Sequence, residues 1–126
     1  MNSKILIVDD EPHIRMLIEQ TLETLVGPDV ELFTATNGEE ALDLIQIEQP
    51  NLVFLDVMMP KVSGFEVCRL VKQVFNFHHI YIVMLTAKGQ EFDKEQGKEV
   101  GVDQYITKPF NPDQLAKIAK SVIVTS

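Results

Sequence analysis

The sequence predicts an open α/β fold: a doubly wound sheet of five parallel strands with five helices spread over both faces. Three observations lead there. Short apolar runs alternate with stretches of helical period, five times along the chain. The runs are almost wholly apolar, which marks strands covered on both faces. Repeated strand–helix units join through right-handed crossovers into a parallel sheet. The 126 residues suffice for one such domain, taken as 1–126, because no repeat, charge block or low-complexity stretch divides them.

Each element has its own signal. Strand β1 is expected over 5–8. Pro12 can open helix α1, since its missing N–H is not needed in a first turn. Ile14, Leu17, Ile18, Leu22 and Leu25 then follow at helical spacing until Gly27-Pro28 stops them. Strand β2 is expected over 30–33. Asn37 is the predicted N-cap of α2, which carries Ala41, Leu42 and Ile45 and ends at Gln49-Pro50-Asn51. Strand β3 covers 52–55. Ser63-Gly64 precedes α3, predicted to turn Phe65, Cys68, Val71 and Val74 inward. Strand β4 covers 80–85. Helix α4 is placed over 88–100 by position, although it is polar and interrupted by Gly89 and Gly97. Strand β5 covers 104–106. Asn111-Pro112 opens α5, with Leu115, Ile118, Ala119 and Val122 on one face.

Charge narrows the function. Nineteen acids against eleven bases give −8, so the basic footprint of a nucleic-acid or anionic-membrane binder is missing. No apolar run approaches the ~20 residues of a membrane helix, and MNSKILIVDDEP is too acidic and too briefly apolar for a signal peptide. A single cysteine, Cys68, allows neither an internal disulfide nor a cysteine-rich zinc site. A cytoplasmic location is the expectation.

The chemistry lies at the strand ends. Asp9-Asp10-Glu11 follow β1, Asp56 follows β3, Thr86 follows β4, and Thr107-Lys108-Pro109 follow β5. In open α/β sheets ligands gather beyond those carboxyl ends. Singly, each residue has a bland reading: acids favour a helix N-terminus by ~0.3–1 kcal/mol, and Asp after a strand often makes a turn. Together, three carboxylates on one edge repel unless a cation intervenes. Oxygen-only donors suit Mg²⁺, and a lysine supplies a point charge for a phosphoryl group. A carboxylate beside both can serve as a phosphoryl nucleophile.

At these residues the chain resembles the receiver domain of bacterial two-component response regulators. The resemblance runs from ILIVDDEP through NLVFLDVMMPKVSGFEV and YIVMLTAKG to GVDQYITKPF and the last helix. It implies strand order 2-1-3-4-5 and a phosphorylation-dependent switch that is not an enzyme beyond its own phosphorylation and slow dephosphorylation. By position, Asp56 is the phosphoacceptor. Asp9, Asp10, Asp56 and the backbone carbonyl of Met58 would hold Mg²⁺. Thr86 would engage the phosphoryl oxygens, Lys108 would pair with them, Pro109 would follow a cis peptide bond, and Tyr105 would be the switch aromatic. Met58 and Lys88 would flank the approach of hydrolytic water and set the lifetime of the phosphoryl group. The implied partners are a sensor histidine kinase or phosphotransfer protein, and an output protein or domain that meets α4, β5 and α5.

The chain departs from the family in two places, the first of them not catalytic. Ser63 stands where the family often has Asp. Asp103-Gln104 replaces the acidic pair of members that dimerise before binding DNA, and the last helix offers Lys117 and Lys120 but no arginine, so dimerisation of that type is not expected. Other readings fit less well. A phosphatase or phosphotransferase would need an acid where Met58 stands. A flavodoxin-like carrier would place phosphate against three acids. A receiver-shaped module that works without phosphorylation would not need the acidic set. His13, His78 and His79 read as solvated, Cys68 as a packed thiol, and Met59 as core.

Overall fold

In the computed structural model, residues 3–25, 29–87 and 98–125 are described. Five parallel strands lie in the order β2-β1-β3-β4-β5. They are Ser3–Val8, Val30–Ala35, Leu52–Asp56, Tyr81–Ala87 and Gln104–Lys108. The helices are α1 Pro12–Leu25, α2 Gly38–Glu48, α3 Gly64–Arg69 with a π-helical continuation Leu70–Val74, and α5 Pro112–Thr125. Of α4, residues 98–100 are described, and they are helical. The positions of Gly89 and Lys88 lie outside the described residues, as does Gly97.

Alternation along the strands splits the core in two. Leu6, Val8, Val53, Leu55, Ile82 and Met84 face Ala41 and Ile45 of α2 and Phe65, Val67, Cys68 and Val71 of α3 and its continuation. Ile5, Ile7, Leu52, Phe54, Val83 and Leu85 face Ile18 and Leu22 of α1 and Leu115, Ile118, Ala119 and Val122 of α5. Each fully buried Val, Leu, Ile, Phe or Met among them contributes roughly 1.5–3 kcal/mol. Every residue of β3 is buried, so the central strand is enclosed from both sides.

Local chemistry sets the helix ends. The Asn37 side chain accepts from Glu40 N–H at 2.9 Å, and the Glu40 carboxylate accepts from Thr36 N–H at 3.1 Å. The pair is a variant of the capping box in which the glutamate reaches one residue past the N-cap. Gln49 ends α2 in the left-handed region at φ 45°. Ser63 caps α3 by accepting from Glu66 N–H at 3.2 Å, and Asn111 accepts from Asp113 N–H at 2.8 Å where α5 begins.

Several expectations need correction. Strands β2 to β5 run past their expected ends at 33, 55, 85 and 106, to Ala35, Asp56, Ala87 and Lys108, because ladder hydrogen bonds are indifferent to side-chain polarity. Val74 is 51% exposed instead of inward. The π-helical turn is the cause: Phe75 N–H reaches back five residues to the Leu70 carbonyl at 2.8 Å, which rotates the face that follows. Leu17, placed on the inner stripe of α1, is 39% exposed at its margin.

Replacing Asn37 with alanine removes the α2 cap. Urea unfolding should show a loss of ~1 kcal/mol; a change of only a tenth or two would mean that the cap is dispensable.

Candidate functional site

The carboxyl edge of the sheet gathers the groups singled out in the sequence. The β1–β2 ladder continues one residue past β1, with Asp9 N–H donating to the Ala35 carbonyl at 3.2 Å. This fixes Asp9 where its side chain is fully buried. Asp9 Oδ1 accepts from Glu11 N–H at 2.9 Å, and Asp9 Oδ2 accepts from Lys108 Nζ at 2.8 Å. Arg15, from the first turns of α1, donates to the Asp9 backbone carbonyl at 2.7 Å. Asp10 is exposed.

Asp56 is the last residue of β3 and is 6% exposed. Its Oδ1 accepts from Met58 N–H at 3.3 Å and lies 3.6 Å from Lys108 Nζ. The ligand atoms of Asp9, Asp10 and Asp56 all fall within 4.8 Å of one another. That donor set fits a hard divalent cation, which takes carboxylate oxygen and keeps several waters; exposed Asp10 leaves room for them. The Met58 side chain is 66% exposed beside the site.

Thr86 is buried near the end of β4. Asp56 pairs with Leu85, and Thr86 with Thr107, so Thr86 stands one residue beyond Asp56 on the neighbouring strand. Tyr105 pairs with Met84. By strand alternation, Tyr105 and Thr86 share a face one diagonal step apart. Tyr105 is half-buried against the α2–α3 side of the core. The Lys108–Pro109 peptide bond is cis. Lys88 lies outside the described residues.

The electrostatics are unbalanced. Burial first, and then the Asp9 charge, push the Asp56 carboxyl up to about 6, with Asp10 adding to the rise. Lys108 and the Met58 N–H oppose that rise without cancelling it. Burial pulls the Lys108 ammonium down, but its bond to Asp9 and the charges of Asp56, Asp9 and Glu11 raise it overall.

Three contributors escaped sequence reasoning. A Cβ on Gly64 would fall 2.3 Å from the Asp56 carbonyl oxygen, so the N-terminus of α3 presses on the end of β3 as only glycine permits. The sequence marks Gly64 only as a helix start. Arg15 and the Glu11 N–H carried no signal, because both act through backbone geometry.

Comparison with known proteins follows the same lines. The profile of the response regulator receiver domain matches residues 5–120. The alkaline phosphatase synthesis transcriptional regulatory protein PhoP of Bacillus subtilis is 47% identical over 123 residues, 98% of this chain and 49% of its own length. The chain thus spans about half the length of that relative. Chemotaxis response regulator CheY4 of Vibrio cholerae superposes with a TM-score of 0.85 at 35% identity, covering 97% of this chain and 99% of that one. The BeF3-activated receiver domain of DrrB, a Thermotoga maritima protein, superposes with a TM-score of 0.84 at 32% identity, covering 98% and 99%.

The Asp56 shift has a definite pH sign. Its folded pKa of about 6 exceeds the ordinary 3.8, so the folded state keeps a proton that the unfolded chain releases. The stability this supplies is present below about pH 4 and is lost as pH rises through about 6. In metal-free buffer Asp56→Asn should be more stable than wild type at neutral pH by on the order of 1–2 kcal/mol, with the gap closing towards pH 4. Urea unfolding at both ends of that range measures it; a constant gap would contradict the shift.

Proposed function

We propose that this chain, which belongs to the response regulator receiver domain family, is a phosphorylation-dependent switch whose acceptor is Asp56. The observation that carries the assignment is Lys108, whose ammonium reaches Asp9 at 2.8 Å and Asp56 at 3.6 Å within the three-acid cluster. We read residues 1–126 as a single receiver, and its place as the cytoplasm. Among the described residues no helix is long and apolar enough to cross a membrane.

Asp9, Asp10, Asp56 and the Met58 carbonyl would hold Mg²⁺. When bound there, Mg²⁺ supplies positive charge against the equatorial oxygens of a transferring phosphoryl group. The Met58 N–H orients the Asp56 carboxylate. Its free oxygen attacks phosphorus in line, and the bond to the donor's imidazole nitrogen or acyl oxygen breaks with its electron pair. Lys108 offsets the incoming charge in a site where burial magnifies it. The Thr86 hydroxyl donates to a phosphoryl oxygen, and Tyr105, on the same face, follows Thr86 inward. The readout is a changed surface over α4, β5 and α5, met by an output protein or domain; the phosphodonor is a sensor histidine kinase or phosphotransfer protein. Turnover is limited to the domain's own phosphoryl group, so we do not count it among enzymes.

Incubation with acetyl phosphate and Mg²⁺ should add one phosphoryl mass to the wild type and none to Asp56→Asn. Chelation of Mg²⁺, or Asp10→Ala, should suppress the addition. Equal incorporation in wild type and Asp56→Asn sinks the acceptor assignment.

The phosphoryl group should be long-lived. Exposed Met58 cannot orient an in-line water, and Lys88, two residues after Thr86, offers no general base. Substituting Met58→Asn together with Lys88→Glu should speed phosphate release after donor removal. Release at the wild-type rate would show that these positions do not govern the lifetime.

A further inference from the structure

A second ionic arrangement sits at the amino end of β5, which the site chemistry does not use. Lys72, in the π-helical continuation of α3, is 8% exposed. Its Nζ donates to the Ile80 carbonyl at 2.6 Å and lies 2.9 Å from Asp103 Oδ2. That same oxygen accepts from Ile82 N–H at 2.7 Å, while Asp103 N–H donates to the Ile82 carbonyl at 3.0 Å. Asp103 therefore closes a ring with β4 one residue before the Val83–Gln104 pair opens the ladder.

Two neighbours of Lys72 hold the same stretch. Gln73 Nε2 donates to the Glu99 carbonyl at 2.7 Å, and Cys68 Sγ approaches the Val100 carbonyl at 3.5 Å. Gly101, at φ +93°, carries the backbone over the Lys72 stem, where a Cβ would meet Lys72 Cγ at 3.3 Å. Stability alone is a poor reason to bury such an ion pair, since apolar residues of similar volume often serve as well; fixing a register is its best-attested use.

The register fixed here is that of β5, which delivers Tyr105 and Lys108. We infer that Lys72 is a positioning residue for the phosphoryl site: its ammonium pins the start of β5 against β4, and the stiff strand carries that constraint to the reach of Lys108. The inference rests on the reading of Asp56 as acceptor. Misplacement of a reacting group by roughly 1 Å can slow chemistry substantially, and Lys108 has only its side chain with which to compensate.

Lys72→Met keeps the stem and removes the charge. Lys72→Met with Asp103→Asn also removes the stranded carboxylate while keeping an acceptor for the Ile82 N–H. Ile118→Val, in the opposite half of the core, controls for general loss of stability. The readouts are the initial rate of phosphoryl incorporation from acetyl phosphate at saturating Mg²⁺, and the amide NMR shifts of residues 104–108. Both Lys72 variants should be slower by about threefold or more, with shifts displaced through Tyr105 to Lys108, while Ile118→Val keeps the wild-type rate. A folded double variant that incorporates at the wild-type rate overturns the inference and leaves Lys72 purely structural. A wild type that takes up no phosphoryl group overturns the acceptor reading instead, and undisplaced shifts at Lys108 would then reject the positioning role separately.

Discussion

One ammonium among buried carboxylates is the constraint on which the rest depends. Lys108 touches Asp9 and Asp56 at once, yet a single positive charge cannot balance three acids. Burial first, and then the Asp9 charge that Lys108 leaves uncompensated, hold the Asp56 carboxyl up at about 6. A site so poised gains from any added cation and then from any group that brings oxygens for the cation and the lysine to share. The fold stabilises the arrangement from below: β1, β3 and β5 each deliver one member from the carboxyl end of a strand held inside a ladder. Burial raises the energetic stakes of the imbalance, and the enclosure of β3 ensures that Asp56 cannot relax into solvent.

Much of this was legible in the sequence. The five strands announce themselves as apolar runs between helix-period stretches, and parallel topology then puts Asp9, Asp56, Thr86 and Lys108 on one edge. Strand ends were not legible, since Asp56, Thr86 and Lys108 lie within the ladders although their polarity suggested loops. Val74 defeated a 3.6-residue period because the helix there is π, and nothing in LVKQV spells that out. Gly64 and Arg15 were missed for a related reason. Each acts on a backbone carbonyl, and sequence patterns record side-chain chemistry far better than the approach of main chains.

Asp103 shows how tertiary context reassigns a residue. By resemblance to the family it reads as half of an incomplete acidic pair, a reason not to expect dimerisation of the family's type. In the fold its carboxylate is taken by Lys72 and the Ile82 N–H, and Gln104 accepts from the Tyr81 hydroxyl at 3.0 Å. Asp103 lies just before β5 and Gln104 opens it, and both side chains tie that strand to β4.

The placement of the reactive groups on strand termini has an evolutionary reading. Loops around the edge can gain, lose or exchange residues while the ladders keep Asp56, Thr86 and Lys108 in mutual register. Exposed apolar side chains away from the site, such as Met16 and Ile47, are therefore open to drift towards new neighbours without any retuning of the chemistry. A duplicated copy could diverge in its acquaintances first and stay chemically competent throughout. Insulation of that kind lets one scaffold be copied into many parallel circuits within a single cell.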